Sequence, residues 1–198
     1  MATETSIRIR EAALIAFAAR GYDATSLDQV ARDLEMTKQA ILYWYPSKEA
    51  LLEAVIDAAA EQLQAALLTS LAGAEEGFAR VERVVRTVFR LGARRPELLG
   101  MLRECARLGP PASTRLAAAL SPSIEAAASY LQGEMDAGRF RRSDPHFLLL
   151  ALYSVVIGMV TEVDVLAAFG VENTARSLVA RRRDVLALLR SALVLEQS

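Results

Sequence analysis

The chain has little of what most enzymes rely on. Its 198 residues hold one cysteine, Cys105, and one histidine, His146. A lone cysteine cannot close an intramolecular disulfide, and no cluster of Cys and His has the spacing of a metal site. His146 has no nucleophile motif beside it, neither Ser154 nor Cys105 lies within one, and no glycine-rich phosphate loop is present. The expectation is a protein that is not an enzyme and that carries neither a metal nor a cofactor. Long hydrophobic runs are missing too. The longest uncharged apolar stretch, Phe147 to Val160, stops short of Glu162 and Asp164. It is too short to span a bilayer and reads as a buried helix. The N-terminus places Glu4 close to Ile7 without the apolar core of a signal peptide. These absences predict a soluble, reduced, cytoplasmic protein with no membrane partner.

Charge of one sign is lacking as well. The formal net charge is −1, which excludes a protein that coats polyanions through a wholly basic surface. A site-specific reader of DNA is not excluded, because only one face must be positive. What is present is apolar residue, 53% of the chain, enough for a large core or a buried interface.

Alternation of the kind that marks strands never lasts, whereas apolar residues recur at helical spacing almost throughout. Ile9, Ala13, Ala16 and Phe17 form the stripe of a first helix, about Thr5 to Arg20, which Gly21 stops. Thr25 or Ser26 caps a short second helix with Leu27, Val30, Ala31 and Leu34. Thr37 caps a short third helix that Pro46 ends, and Ser47 starts a long fourth, Lys48 to about Leu71. Longer helices follow: Phe78 to Ala93, then one opened by Pro96 that ends before Gly109. The next begins at Ser121 or Ser123 and closes at Gly138. Asp144 and Pro145 open a very apolar helix through about Phe169, and a last one covers about Asn173 to Leu195. The fold class is therefore all-α. An N-terminal three-helix domain (1–47) would be joined through the helix 48–71 to a helical C-terminal domain (48–198).

Two short helices flanking the tight turn Glu35-Met36-Thr37 suggest a helix-turn-helix. The second must bury Ile41 and either Trp44 or Tyr45, leaving Thr37, Lys38, Gln39, Ala40 and Tyr43 outside. Those side chains suit a DNA major groove. Lysine bonds guanine acceptors or phosphate, glutamine pairs with adenine, and the alanine methyl meets a thymine methyl. Acids slightly outnumber bases between Met1 and Ala50, so charge must be sorted. The expectation is Arg8, Lys38 and Lys48 toward DNA, with Asp28, Asp33 and Glu35 turned aside.

The run Ile9 to Leu52, IREAALIAFAARGYDATSLDQVARDLEMTKQAILYWYPSKEALL, resembles the N-terminal domain of the tetracycline-repressor (TetR) family. Shared are the AAL..F core, the Gly-Tyr break, the Thr-Ser helix start, the V/I-A pair, and an aromatic cluster followed by Pro-Ser-Lys-Glu-x-Leu. By position, the resemblance implies that Thr37, Lys38, Gln39 and Ala40 start the recognition helix. It places Tyr43 and Trp44 toward the DNA backbone and makes Lys48 a phosphate contact. Thr25 and Ser26 become a further backbone anchor. Two departures stand out: Glu35 replaces the usual turn glycine, and Leu42 replaces a tyrosine.

Family resemblance further implies a homodimer formed by the last two helices, with Leu149, Leu152, Val156, Val160 and Val163 on one and Leu178, Val185, Leu189 and Leu193 on the other. It implies a ligand cavity, for which Phe89, Met101, Cys105, Tyr130, Tyr153 and Met159 are candidates, although such residues at helical spacing are also normal core fillers. The spacing of Arg86, Arg90, Arg103 and Arg107 suits an anionic head group and solvated helix faces alike. The implied function is a transcriptional regulator, a repressor of a palindromic double-stranded DNA operator released by a small, hydrophobic effector. The alternative is a small-molecule-binding protein that has lost specific DNA binding, which Glu35 and Leu42 favour.

Overall fold

A computed structural model describes residues 3–73 and 75–195. Among the described residues there are ten helices: α1 (Glu4–Arg20), α2 (Leu27–Asp33), α3 (Lys38–Trp44), α4 (Lys48–Leu71), α5 (Phe78–Arg94), α6 (Pro96–Leu108), α7 (Ala112–Asp136), α8 (Pro145–Thr161), α9 (Val163–Ala168) and α10 (Ala175–Leu193). The one isolated β-bridge described pairs Phe140 with Val194. No helix among these residues is long and apolar enough to cross a membrane.

Side-chain caps set most of the starts. Ser26 and Gln29 form a reciprocal capping box at α2, so two backbone donors at that end are satisfied together. Thr37 accepts from the Ala40 N–H at α3 and Ser47 from the Ala50 N–H at α4. Asp144 caps α8 with Pro145 in its first turn, where the missing proline N–H costs nothing. Gly21 ends α1 at φ 85°, a conformation that side-chain-bearing residues avoid.

Two helices differ from the sequence expectation. α7 starts at Ala112, about ten residues before the expected serine, and runs through Pro122. Proline forfeits one helical hydrogen bond, and Pro122 sits on an exposed stretch where water can satisfy the freed carbonyl. The expected single helix from Asp144 to Phe169 is instead α8 and α9, broken at Glu162 with ψ 61°. No glycine or proline marks that break.

The chain divides into two compact units, Met1–Leu63 with Glu97–Leu120, and Gln64–Pro96 with Ser121–Ser198. Both α4 and α7 are therefore shared between units. In the first unit, α1 contributes Ile9, Ala13 and Phe17, α3 contributes Ile41, and α4 contributes Leu51, Val55 and Ile56, each at most 1% exposed. α6 adds Leu98, Leu99, Met101 and Cys105 to that unit, equally sealed. Its approach to α1 is close: a Cβ on Gly100 would lie 2.9 Å from the Ala18 Cβ, nearer than side-chain carbons pack. Burial pushes the Cys105 thiol up to about 11, which keeps it protonated and unreactive at neutral pH.

In the second unit, α5 packs against α8 and α10. The core there is built from Phe78, Val81, Val85 and Phe89 with Leu131, Met135, Phe140, Val156, Val185, Leu189 and Leu193. A polar clasp ties the start of α5 to the end of α7. The Glu134 side chain, 4% exposed, accepts the Gly77 N–H at 3.1 Å and two bonds from the Arg139 guanidinium at 2.5 and 2.9 Å. The Tyr130 hydroxyl donates to the Gly77 carbonyl at 2.6 Å. Arg139 holds the Glu134 carboxyl below its ordinary value of 4.5. A depressed carboxylate stabilises the fold fully above its unfolded pKa, and that stability is lost as pH falls through the folded value. Glu134→Gln is therefore expected to lower the melting temperature most at pH 7, with the gap to wild type closing toward pH 3. Melting followed by circular dichroism across that range checks it. A gap independent of pH would show that the carboxylate charge contributes nothing.

Candidate nucleic-acid interface

α2, the turn and α3 form the helix-turn-helix. Val30 and Ala31 of α2 and Ile41 of α3 are buried, which fixes the rotation of both helices and leaves the opposite side of α3 to solvent. The turn closes with the Met36 N–H on the Ala31 carbonyl at 2.9 Å. Within it Glu35 takes φ 55°, so the residue standing where the family usually has glycine adopts the left-handed conformation glycine favours. A side chain there costs about 1 kcal/mol, and the turn is kept.

Thr37, Lys38 and Gln39 are exposed at the start of α3, and Ala40 is half-buried. Tyr43 is 80% exposed and Trp44 36%, and their rings meet edge to face with centroids 5.2 Å apart. Of the two aromatics that α3 was expected to choose between, Tyr45 is the inward one: its hydroxyl donates to the Ser6 carbonyl at 3.0 Å, and burial raises its pKa. Leu42 is half-buried.

The expected sorting of charge holds only in part. Arg8 is exposed. Asp28 is not turned aside, since it pairs with Lys38 at 3.0 Å, and Asp33 lies 3.5 Å from Arg20. Both members of the Lys38–Asp28 pair are about half exposed, so the pair is worth little and the lysine can exchange it for another anion. Thr25 departs from its expected role. It is 1% exposed, and its hydroxyl donates to the Gly21 carbonyl at 2.9 Å. Its hydroxyl is committed to the α1–α2 turn, while Ser26 is exposed as the cap of α2.

Around Lys48 lies a constellation that periodicity alone does not disclose. The Lys48 ammonium sits over the Tyr22 ring, 4.0 Å from its centroid. The Tyr22 hydroxyl donates to Glu49 Oε1 at 3.2 Å, and its ring meets Phe17 edge to face at 5.3 Å. Burial, with the Glu49 charge next, pushes the Tyr22 phenol up to about 12. From α6, Glu104 accepts the Tyr22 backbone N–H at 2.6 Å and binds the Arg107 guanidinium twice, at 2.8 and 2.7 Å. Arg107 also reaches Asp23 at 2.9 Å. The sequence did carry a signal for Glu104: it is an acid among the apolar residues Met101, Leu102 and Cys105, where a buried charge must find donors.

The other expected sites fare differently. Met101 and Cys105 belong to the first compact unit and Phe89, Tyr130, Tyr153 and Met159 to the second. Phe89 is core at 2%, whereas Tyr153 and Met159 are 44% and 38% exposed. Among the head-group candidates, Arg107 is committed to Glu104 and Asp23, and Arg86 binds Glu82. Of the expected interface residues, Val156, Val185, Leu189 and Leu193 are at most 5% exposed within their own chain. Side chains already covered in this way have little surface to offer a second molecule, so these four are protomer core. Leu149, Leu152, Val160 and Leu178 pack half-buried against the same cluster, and Val163 is exposed. The apolar surface left on α8 lies on another ridge, Phe147, Leu150 and Tyr153, at 63%, 61% and 44% exposure. α9 adds Val165 and the adjoining Phe169, and α10 adds Val179 and Leu188.

Comparison with known proteins agrees with the geometry of the head. Residues 9–55 match the model of the family described as bacterial regulatory proteins, tetR family. A curated relative from Bacillus subtilis, the uncharacterized HTH-type transcriptional regulator YuxN, is 41% identical over 49 residues, 25% of this chain and 17% of that protein. Solved structures extend the likeness over the full length. A regulatory protein of the tetR family from Rhodococcus RHA1 superposes with a TM-score of 0.80 at 23% identity, covering 98% of this chain and 100% of that one. A transcriptional regulator from Saccharomonospora viridis in complex with choline gives 0.77 at 20%, over 98% and 99%. AibR, in complex with isovaleryl coenzyme A and operator DNA, gives 0.73 at 19%, over 91% and 95%. At such identities these structures speak for the fold, while the matched segment supplies the reading helices themselves. Residues 9–55 thus carry the N-terminal segment of the tetR family of bacterial regulatory proteins, and the full chain shares the fold of its solved members.

Proposed function

We propose that this regulator binds a palindromic DNA operator as a homodimer, represses transcription, and is released by a small, hydrophobic effector. The observation that carries the reading is the outer face of α3. Thr37, Lys38, Gln39 and Tyr43 are exposed together on a helix whose other side is locked by Ile41, so a groove-sized row of hydrogen-bonding groups is held rigid. Two such heads related by a two-fold axis would meet successive major grooves about 34–36 Å apart. The apolar ridge on α8, with the exposed apolar residues of α9 and α10, is the surface offered to the second copy. Support for an effector comes from relatives of the same fold that bind choline or isovaleryl coenzyme A. Effector binding would act by favouring a conformation whose heads no longer match operator spacing.

The test is fluorescence anisotropy against labelled DNA from upstream of the chain's own gene, over a salt series. Saturable binding tighter than to scrambled DNA, weakening as salt rises, is expected. Lys38→Glu with Lys48→Glu should abolish the preference, since it removes two cations per head and adds two repulsions, while leaving the melting temperature nearly unchanged. No preference over scrambled DNA at low salt would overturn the reading. It would leave the small-molecule-binding alternative, which the missing tyrosine at Leu42 favours, since the turn at Glu35 is kept.

A further inference from the structure

We propose that Tyr22 is a positioning residue of the reading head, whose ring holds the Lys48 ammonium in place for a DNA phosphate. The proposal rests on the DNA-reading function above and adds a residue that meets no DNA itself. A lysine at the start of a helix has four rotatable bonds, and freezing them on binding costs conformational entropy. An ammonium resting 4.0 Å over an aromatic centroid is already confined, because the negative face of the ring attracts it. The same ring also sorts the neighbouring charge. By donating to Glu49 Oε1 at 3.2 Å, the Tyr22 hydroxyl ties that carboxylate to its own edge. Cation and anion of the first turn of α4 are thus separated by one side chain, the cation on the face and the anion at the rim.

The platform is held from two sides. Phe17 meets the ring edge to face, and Phe17 is 1% exposed. The backbone of Tyr22 is gripped from α6 by Glu104, itself 7% exposed, through the 2.6 Å bond from the Tyr22 N–H. Arg107 holds that carboxylate in turn. A backbone donor captured by a buried, ion-paired carboxylate forms a charge-assisted bond, of the stronger kind. The ring is thus the better-anchored partner of the pair, on which the lysine settles.

The readout is the slope of affinity against salt, which counts phosphates engaged and does not follow stability. Tyr22→Leu removes the π face. Tyr22→Phe keeps the face and removes the hydroxyl. Lys48→Ala removes the contact outright. Relative to wild type, Tyr22→Leu should bind the upstream DNA roughly three- to thirtyfold more weakly. Its salt slope should fall by up to about 0.9 per head, as for Lys48→Ala. In the Lys48→Ala background Tyr22→Leu should cost nothing further, and Tyr22→Phe should retain the wild-type slope. Should Tyr22→Leu keep the full slope, or weaken binding equally with and without Lys48, the ring is merely structural and the proposal is overturned. Failure of wild type to prefer its upstream DNA overturns the reading function and this role with it, so the two failures are told apart by the wild-type curve.

Discussion

Phe147→Glu combined with Leu150→Glu is expected to convert a dimer into a folded monomer. These residues are 63% and 61% exposed on the α8 ridge, so neither substitution disturbs the protomer core around Val156. In a two-fold interface each carboxylate appears twice, and four charges would be moved from water into an apolar contact, which no single hydrophobic interface sustains. Sedimentation equilibrium should give the mass of one 21.5 kDa chain, with an unchanged helical signal. The effect on DNA follows from geometry. A dimer presents its second head at high effective concentration once the first is bound, which raises affinity on the order of 10²–10⁴-fold. The double variant should lose that factor on the operator and keep weak half-site binding. An unchanged mass would place the dimer contact elsewhere and leave the ridge without a role in association.

Phe17→Ala should be the most destabilising single truncation in the first unit. Phe17 is 1% exposed and touches the ring of Tyr22, so its removal leaves a void beside the α1–α2 turn. Phenylalanine-to-alanine changes in packed cores cost about 3–5 kcal/mol, against a total of about 5–15 kcal/mol for a typical domain. Urea unfolding followed by circular dichroism should show the midpoint shifted down by a large fraction of its wild-type value. A shift corresponding to less than about 1 kcal/mol would mean that the neighbours collapse into the space. It would then be the hydrogen bonds of Tyr22, rather than Phe17, that hold the turn.

Where the sequence carried explicit chemical punctuation, it was legible nearly to the residue. Ser26, Thr37, Ser47 and Asp144 all cap helices, because their side chains offer oxygen to free N–H groups that nothing else reaches. Punctuation misled at Pro122, where Ser121 and Ser123 read as a start inside what is one helix. It was silent at Glu162, where α8 gives way to α9 with no breaker residue. The outer face of α3 could be read because that helix is amphipathic: burying Ile41 decides what remains outside. α8 could not be read in the same way. A helix apolar on nearly every side has no preferred face in its own sequence, so the stripe Leu149, Leu152, Val156 and the ridge Phe147, Leu150, Tyr153 are equivalent until α5 and α10 cover one of them. Thr25 and Lys48 show the same limit at a smaller scale. Neither has a periodic signature: the hydroxyl's bond to Gly21 is a local turn contact between helices, and the lysine's seat on Tyr22 needs two segments 26 residues apart to meet.

The reading head is built from chain that is not contiguous, and this bears on how it is made. Residues 1–63 and 97–120 form one compact unit, so a growing polypeptide that has reached residue 96 already contains all of α1, α2 and α3 but lacks α6. Glu104 has not yet been added to take the Tyr22 N–H, nor Gly100 to lie against Ala18, nor Arg115 to bridge Glu53 and Asp57 on α4. The side of α1 around Ala18 that α6 meets stays wet until that helix emerges. A nascent or prematurely terminated product would hold α1–α3 without the α6 contacts that fix Tyr22 and Ala18. Excising residues 1–47 as a free-standing reader would meet the same difficulty. The first unit is completed late in synthesis, after the segment 64–96 has been made and passed over.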